Sequence, residues 1–89
     1  MHRLRGNILG DDGTVIICKA LCESKNSKLQ DLDLAFNDVG FPGAEALAAL
    51  LAVHGELTAL NVQYNSLGDE GQGVLRQAVK GRSGFDLKI

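Results

Sequence analysis

One pattern is written twice in this chain and begun a third time. LQDLDLAFNDVGFPGAEALAALLA from Leu29 is echoed by LTALNVQYNSLGDEGQGVLRQAVK from Leu57, and LRGNILGDDGTVIICKALC from Leu4 is a truncated copy of both. Superposing Asn7, Asn37 and Asn65 brings Leu4 onto Leu34 and Val62, and Leu9 onto Val39 and Leu67. It also brings Gly10 and Gly13 onto Gly40 and Gly43 and onto Gly68 and Gly71. The period is 30 residues and then 28. Repetition at this length marks a solenoid, whose units cannot bury an apolar face alone and must stack on their neighbours. The chain reads as one domain over 1–89, with units at about 1–28, 29–56 and 57–83 and a partial terminal strand at 84–89.

Within each copy the hydrophobic period changes. Leu32 and Leu34, like Leu60 and Val62, alternate with Asp33 and Asn61 in the period of two that belongs to a short strand. Beyond the Asn, Ala44, Leu47, Leu50 and Leu51 fall at helical spacing, as do Val74, Leu75, Ala78 and Val79. Pro42 suits the start of a helix, where its missing N–H is not needed, and Asp11 and Asp69 stand where a capping acceptor for their own helices is expected. Gly55, Gly81 and Asn26 are expected as left-handed helix stops. Strand, turn and helix then form one unit, and right-handed crossovers place a curved parallel sheet inside and helices outside.

The residues from Leu29 to Leu51 and from Leu57 to Val79 resemble the leucine-rich repeats of the ribonuclease-inhibitor type, found also in NOD-like receptors and Ran GTPase-activating proteins. They meet the pattern LxxLxLxxNxLGxxGxxxLxxxL almost in full, and the resemblance covers most of the chain. It implies an α/β fold, a short leucine-rich-repeat solenoid with parallel strands on the concave face and helices on the convex face. It also implies that Asn7, Asn37 and Asn65 stack as a ladder bonding the backbone where each strand bends. The ends depart from the pattern: His2 stands where Leu32 and Leu60 do, and GFDLKI starts a further strand, with Leu87 and Ile89 matching Leu60 and Val62.

Composition excludes several function classes. At 89 residues and 45% hydrophobic, such a chain buries only about 60 to 65% of its unfolded surface, so stacking must supply the stability. A net charge of −2 offers no field for nucleic acid, and the few aromatics are not interleaved with Lys or Arg. The start, MHRLRGN, has no apolar signal core, and the longest apolar run, ALAALLAV from Ala46, is far short of a membrane span. The expected location is cytoplasmic.

No catalytic or metal constellation emerges. Cys18 and Cys22 are one helical turn apart, about 6 Å between Cβ atoms, too far for an unstrained disulfide. They read as buried reduced thiols acting as small apolar residues. His2 and His54 are isolated and complete no zinc set, His54 being expected at a helix end as a solvated or capping imidazole. GDEGQG from Gly68 lacks the Lys and Ser/Thr of a phosphate loop and recurs as GDDG and GFPG, so it is repeat punctuation. Asp31, Asp33, Asn37 and Asp38 fail as a calcium loop, because Ala35 and Phe36 occupy a ligand and the turn glycine. The expectation is no enzyme, no metal and no cofactor, and the family's link to GTPase activation does not carry over to these residues.

What remains is the inner sheet surface. Parallel in-register strands stack side chains into columns: Arg3, Asp33, Asn61 and Lys88; Met1, Asp31, Ala59 and Asp86; Arg5, Ala35 and Gln63; and Gly6, Phe36 and Tyr64 just before the ladder. In the family this face binds proteins, so Arg3, Arg5, Asp31, Asp33, Phe36, Asn61, Gln63 and Tyr64 are the candidate contacts of a protein partner or larger host complex. The alternative is a structural, self-assembling or complex-docking element that associates through its exposed end strands.

Overall fold

The structure is a computed structural model and describes residues 2–3, 9–23 and 30–89. Leu4, Arg5, Gly6, Asn7 and Asn26 therefore lie outside the described residues, and of Arg3 the backbone alone is described. Strands and helices alternate: β1 (His2–Arg3), α1 (Gly10–Glu23), β2 (Asp31–Asp33), α2 (Phe41–Val53), β3 (Ala59–Asn61), α3 (Gly68–Ala78) and β4 (Asp86–Lys88). The strands form one parallel sheet in chain order, with His2 opposite Leu32, Leu32 opposite Leu60 and Leu60 opposite Leu87. The repeat alignment is thus the physical register: residues that match in sequence are neighbours across the sheet.

Each three-residue strand turns one leucine inward and its two flanking residues toward the open face. Leu32 and Leu60 are buried, whereas Asp31, Asp33, Ala59 and Asn61 are half-buried. The core lies between sheet and helices, where Leu34, Val39, Leu47, Leu50, Leu57, Leu60, Val62 and Leu75 are all nearly inaccessible to solvent. Burying a leucine contributes about 1.5–3 kcal/mol. Leucine at alternating and then helical spacing is what makes a wedge of this shape favourable.

The amide side chains handle the backbone at the bend that follows each strand. Asn65 Oδ1 accepts from the N–H groups of Asn37 and Val39, both at 2.9 Å, and its Nδ2 donates to the carbonyls of Leu34 (3.0 Å), Val62 (2.9 Å) and Gln63 (3.2 Å). Asn37, fully buried, accepts from Leu9 N–H at 3.2 Å and donates to Ala35 O at 3.1 Å. Each described rung therefore joins its own turn to the turn of the copy before it. A buried bend has no other source of partners for these groups.

Helix α2 is capped at both ends by its neighbours. Asp11 does not cap α1, as its place in the sequence suggests. Its Oδ1 accepts from Gly40 N–H at 2.8 Å and Gly43 N–H at 2.9 Å, the orphan donors at the start of α2. This approach needs Gly43, since a Cβ there would come within 2.8 Å of Asp11 Oδ1 and 2.5 Å of Val39 Cγ1. At the other end, Arg82 donates to Leu51 O (3.0 Å), Gly55 O (3.3 Å) and Leu57 O, with its guanidinium 4.8 Å over the Phe85 ring. No basic residue of α2 itself lies in its last turn, so Arg82 also supplies the cation that a helix C-terminus favours. Gly81 has the left-handed φ of +88° but lies two residues past Val79, the C-cap of α3, and Gly55 has no positive φ, α2 ending on His54.

Asp11→Ala should lower stability by about 1–2 kcal/mol, as loss of an N-cap does, and Asp11→Asn should restore most of it. Urea titration of the pair checks this, and a wild-type midpoint for Asp11→Ala would show that the contact contributes nothing.

Candidate functional site

The concave face is the sheet surface opposite the helices. Asp33, Asn61 and Lys88 follow one another across β2, β3 and β4, beginning opposite Arg3 in β1, and Asp31, Ala59 and Asp86 form the next column. A shallow depression of about 180 Å³ lies over these strands, lined by Asp31, Leu32, Asp33, Ala59, Leu60, Asn61, Asp86 and Lys88. Asp86 and Lys88 thus belong to this face although the candidate contacts omit them. The match of Leu87 to Leu60 places them there.

Two of these side chains are held from within. Asp33 Oδ1 accepts from Ala35 N–H at 3.1 Å and Asn61 Oδ1 from Gln63 N–H at 3.0 Å, the same two-residue closure in successive copies. A short acceptor at the strand exit starts the bend and fixes its own side chain at the rim of the depression. Ala35, in the column of Gln63, is fully buried and offers no contact surface.

At the edge of this face Phe36 and Tyr64 stack. Their ring centroids are 4.5 Å apart and their planes 8° from parallel. Parallel strands lie about 4.8 Å apart, so equivalent rings in successive units arrive at stacking distance through the rise of the solenoid itself. Both residues adopt the left-handed region, Phe36 at φ 60° and Tyr64 at φ 59°. That conformation costs an L-residue about 1–2 kcal/mol. The ladder holds it, because the next residue in each case is Asn37 or Asn65. Phe36 N–H also donates to Gln63 O at 3.2 Å. Even so, Phe36 is 48% and Tyr64 68% exposed.

The other candidate chemical groups sit elsewhere. His54 is buried at 8% exposure, because the chain turns back at once and Leu57 N–H donates to its carbonyl, so it is not a solvated imidazole. Cys18 is buried and Cys22 exposed, which corrects the expectation of two buried thiols. The position of Cys22 is an outer one in every copy, Ala52 and Lys80 being exposed as well. Among the described residues no three His, Cys, Asp or Glu side chains gather where they could hold a metal ion.

Burial, and secondarily Cys22, pushes the Cys18 thiol from 9.0 up to about 12. A thiol reagent at neutral pH should therefore modify Cys22 quickly and Cys18 only on unfolding. Because the folded thiol is the weaker acid, its contribution to stability is complete below pH 9.0 and lost as pH rises toward about 12. Denaturation midpoints of wild type and Cys18→Ala measured across that window should converge at the alkaline end. Parallel curves would show that Cys18 ionises freely.

A family model described as Leucine Rich repeat matches residues 25–48 and 57–71. The chain is 41% identical over 63 residues to RAN GTPase-activating protein 2 of Arabidopsis thaliana, an alignment covering 71% of this chain and 11% of that protein. It is 38% identical over 73 residues to NACHT, LRR and PYD domains-containing protein 13 of Homo sapiens, covering 82% of this chain and 7% of the relative. Leucine-rich repeat-containing protein 45 of Gallus gallus is 38% identical over 60 residues, covering 67% and 9%. The chain belongs to the leucine-rich repeat family. Its repeats are of the type carried by these relatives, with parallel strands on the concave face and helices on the convex one. This leucine-rich repeat chain spans about a tenth of the length of the relatives it matches. Leucine-rich repeats of this kind serve as protein-interaction modules in general, and no described helix is long and apolar enough to cross a membrane.

Proposed function

We propose that this leucine-rich repeat chain is a protein-interaction module that receives a segment of a protein partner, or of a larger host complex, across its concave face. The observation that carries the reading is the Phe36–Tyr64 stack: two large rings, exposed, parallel and kept in a costly backbone conformation just beyond the strands of the open face. Rings already fixed in place lose little freedom on binding, which is what a binding anchor requires. Arg3, Arg5, Asp31, Asp33, Asn61 and Gln63 complete the contact surface, with Asp86 and Lys88 extending it along β4. Alternating charge along the columns selects a partner of complementary pattern and contributes to register more than to affinity. The role is binding without catalysis, metal or cofactor, toward protein and not nucleic acid or membrane, in the cytoplasm.

Affinity capture with wild type, Phe36→Ser/Tyr64→Ser and the convex-face variant Glu45→Lys tests this. The double variant should weaken the captured partner roughly 10- to 30-fold, with Glu45→Lys matching wild type. Equal capture by all three, or loss only with Glu45→Lys, would place binding elsewhere.

A further inference from the structure

The open sheet face carries its charge unevenly, and the register shows where. Along one column Asp33, Asn61 and Lys88 run from acid through amide to base. Two of the three are already engaged, Asp33 with Ala35 N–H and Asn61 with Gln63 N–H. The neighbouring column is Asp31, Ala59 and Asp86. Here two carboxylates flank a bare methyl group, and among the described residues neither carboxylate has a hydrogen-bond or ion-pair partner. Asp31 is half-buried and Asp86 exposed, and all three residues line the depression of about 180 Å³.

That column specifies an occupant by charge and by shape. Neighbouring strands lie about 4.8 Å apart, so the backbones of Asp31 and Asp86 stand about 10 Å from one another across Ala59. A metal ion, whose oxygen ligands lie within roughly 2.5 Å, is a poor bridge for that span, and among the described residues no three His, Cys, Asp or Glu gather to hold one. A guanidinium suits it better. It is planar, keeps its charge and presents N–H groups on more than one edge, so it donates to a carboxylate on either side at once. An ammonium is a compact charge that serves one side at a time. The small side chain of Ala59 leaves room between the acids and an apolar surface for the stem of the incoming residue. Lys88, the one cation among the described lining residues, stands in the other column and steers a positive guest away from Asn61 toward Ala59.

We propose that the Asp31–Ala59–Asp86 column is a seat for an arginine side chain of the protein partner. This inference rests on the concave-face reading and adds the chemistry of what is bound there. The Phe36–Tyr64 stack supplies apolar anchorage beyond the strands, and the two carboxylates supply selection. The partner segment is therefore basic at one position and not throughout, because Lys88 repels a second cation.

Titration of the 15N-labelled chain with the peptide acetyl-Gly-Arg-Gly-amide, followed by amide chemical shifts, tests the proposal, with Lys and Glu versions of the peptide as companions. The Arg peptide should shift Asp31, Ala59 and Asp86 saturably and bind at least about threefold tighter than the Lys peptide, and the Glu peptide should leave these amides unmoved. Asp31→Asn/Asp86→Asn should weaken the Arg peptide at least about fivefold with an unchanged circular dichroism spectrum. Asp69→Asn/Glu70→Gln, which removes the same net charge from exposed positions on α3, should bind as wild type does. No response to the Arg peptide, shifts away from this column, equal affinity for Arg and Lys, or equal loss in both double variants would each overturn the proposal. Affinity capture with Asp31→Asn/Asp86→Asn separates it from the reading it rests on. A partner lost with Phe36→Ser/Tyr64→Ser but held at full strength by the acid variant overturns the arginine seat alone, and a partner held by both overturns both.

Discussion

Replacing Asn65 by Leu should destabilise the fold by about 3–5 kcal/mol, because the N–H groups of Asn37 and Val39 lose their acceptor inside the bend and three carbonyls lose a donor. Small domains hold about 5–15 kcal/mol in total, and one of this size sits near the lower end. The variant should therefore melt at least roughly 15 °C below wild type. Asn37→Leu, which strands Leu9 N–H and Ala35 O, should cost about 2–3 kcal/mol. Asn65→Asp separates the two halves of the rung: it keeps the acceptor for both N–H groups and removes the donor, so its loss should fall between wild type and Asn65→Leu. Urea titration followed by circular dichroism measures the series. A melt of Asn65→Leu equal to wild type would mean that the rung is replaced by water and carries no structural weight.

The second large effect is expected at Arg82, where Arg82→Met should cost about 2–4 kcal/mol. Methionine keeps much of the apolar stem but leaves the carbonyls of Leu51, Gly55 and Leu57 without their donor and removes the cation above Phe85. Arg82→Lys should recover no more than about half. A single ammonium cannot fork over three carbonyls, though it retains the charge at the end of α2. Because the contact joins the third unit to the second, hydrogen exchange in Arg82→Met should rise first at the end of α2 and in the loop through Leu57. Uniform exchange across the whole chain would instead show that the units unfold only together.

Much of the fold was legible because the decisive interactions repeat at the spacing of the sequence itself. Leu32 opposite Leu60 and Leu60 opposite Leu87 follow from aligning the copies, since a parallel solenoid converts sequence register into sheet register. Phe36 and Tyr64 were likewise placed in one column by alignment alone. Their parallel stack was not readable, since it depends on the rise between strands and on two left-handed backbones. Asp11 misleads for a related reason. An acid in a first turn suits its own helix, and only the stacked helices show the carboxylate reaching Gly40 and Gly43 of the next. Cys18 and Cys22 share a face in a helical projection, yet Cys18 joins the apolar core whereas Cys22, one turn on, is exposed. His54 stands at a helix end, normally a wet place, yet the turn through Leu57 closes over it.

The sequence by itself determined the unit, its period, the order of strand and helix, and the inward leucines, because those follow from local periodicity and from a pattern that repeats. Tertiary structure decided which side chain serves which neighbour. Asp11 and Arg82 each complete a helix that is not their own. The physical reason is that capping, burial and exposure in a solenoid are properties of the interface between units. A unit's sequence specifies one side of that interface, and only the stacking brings in the other.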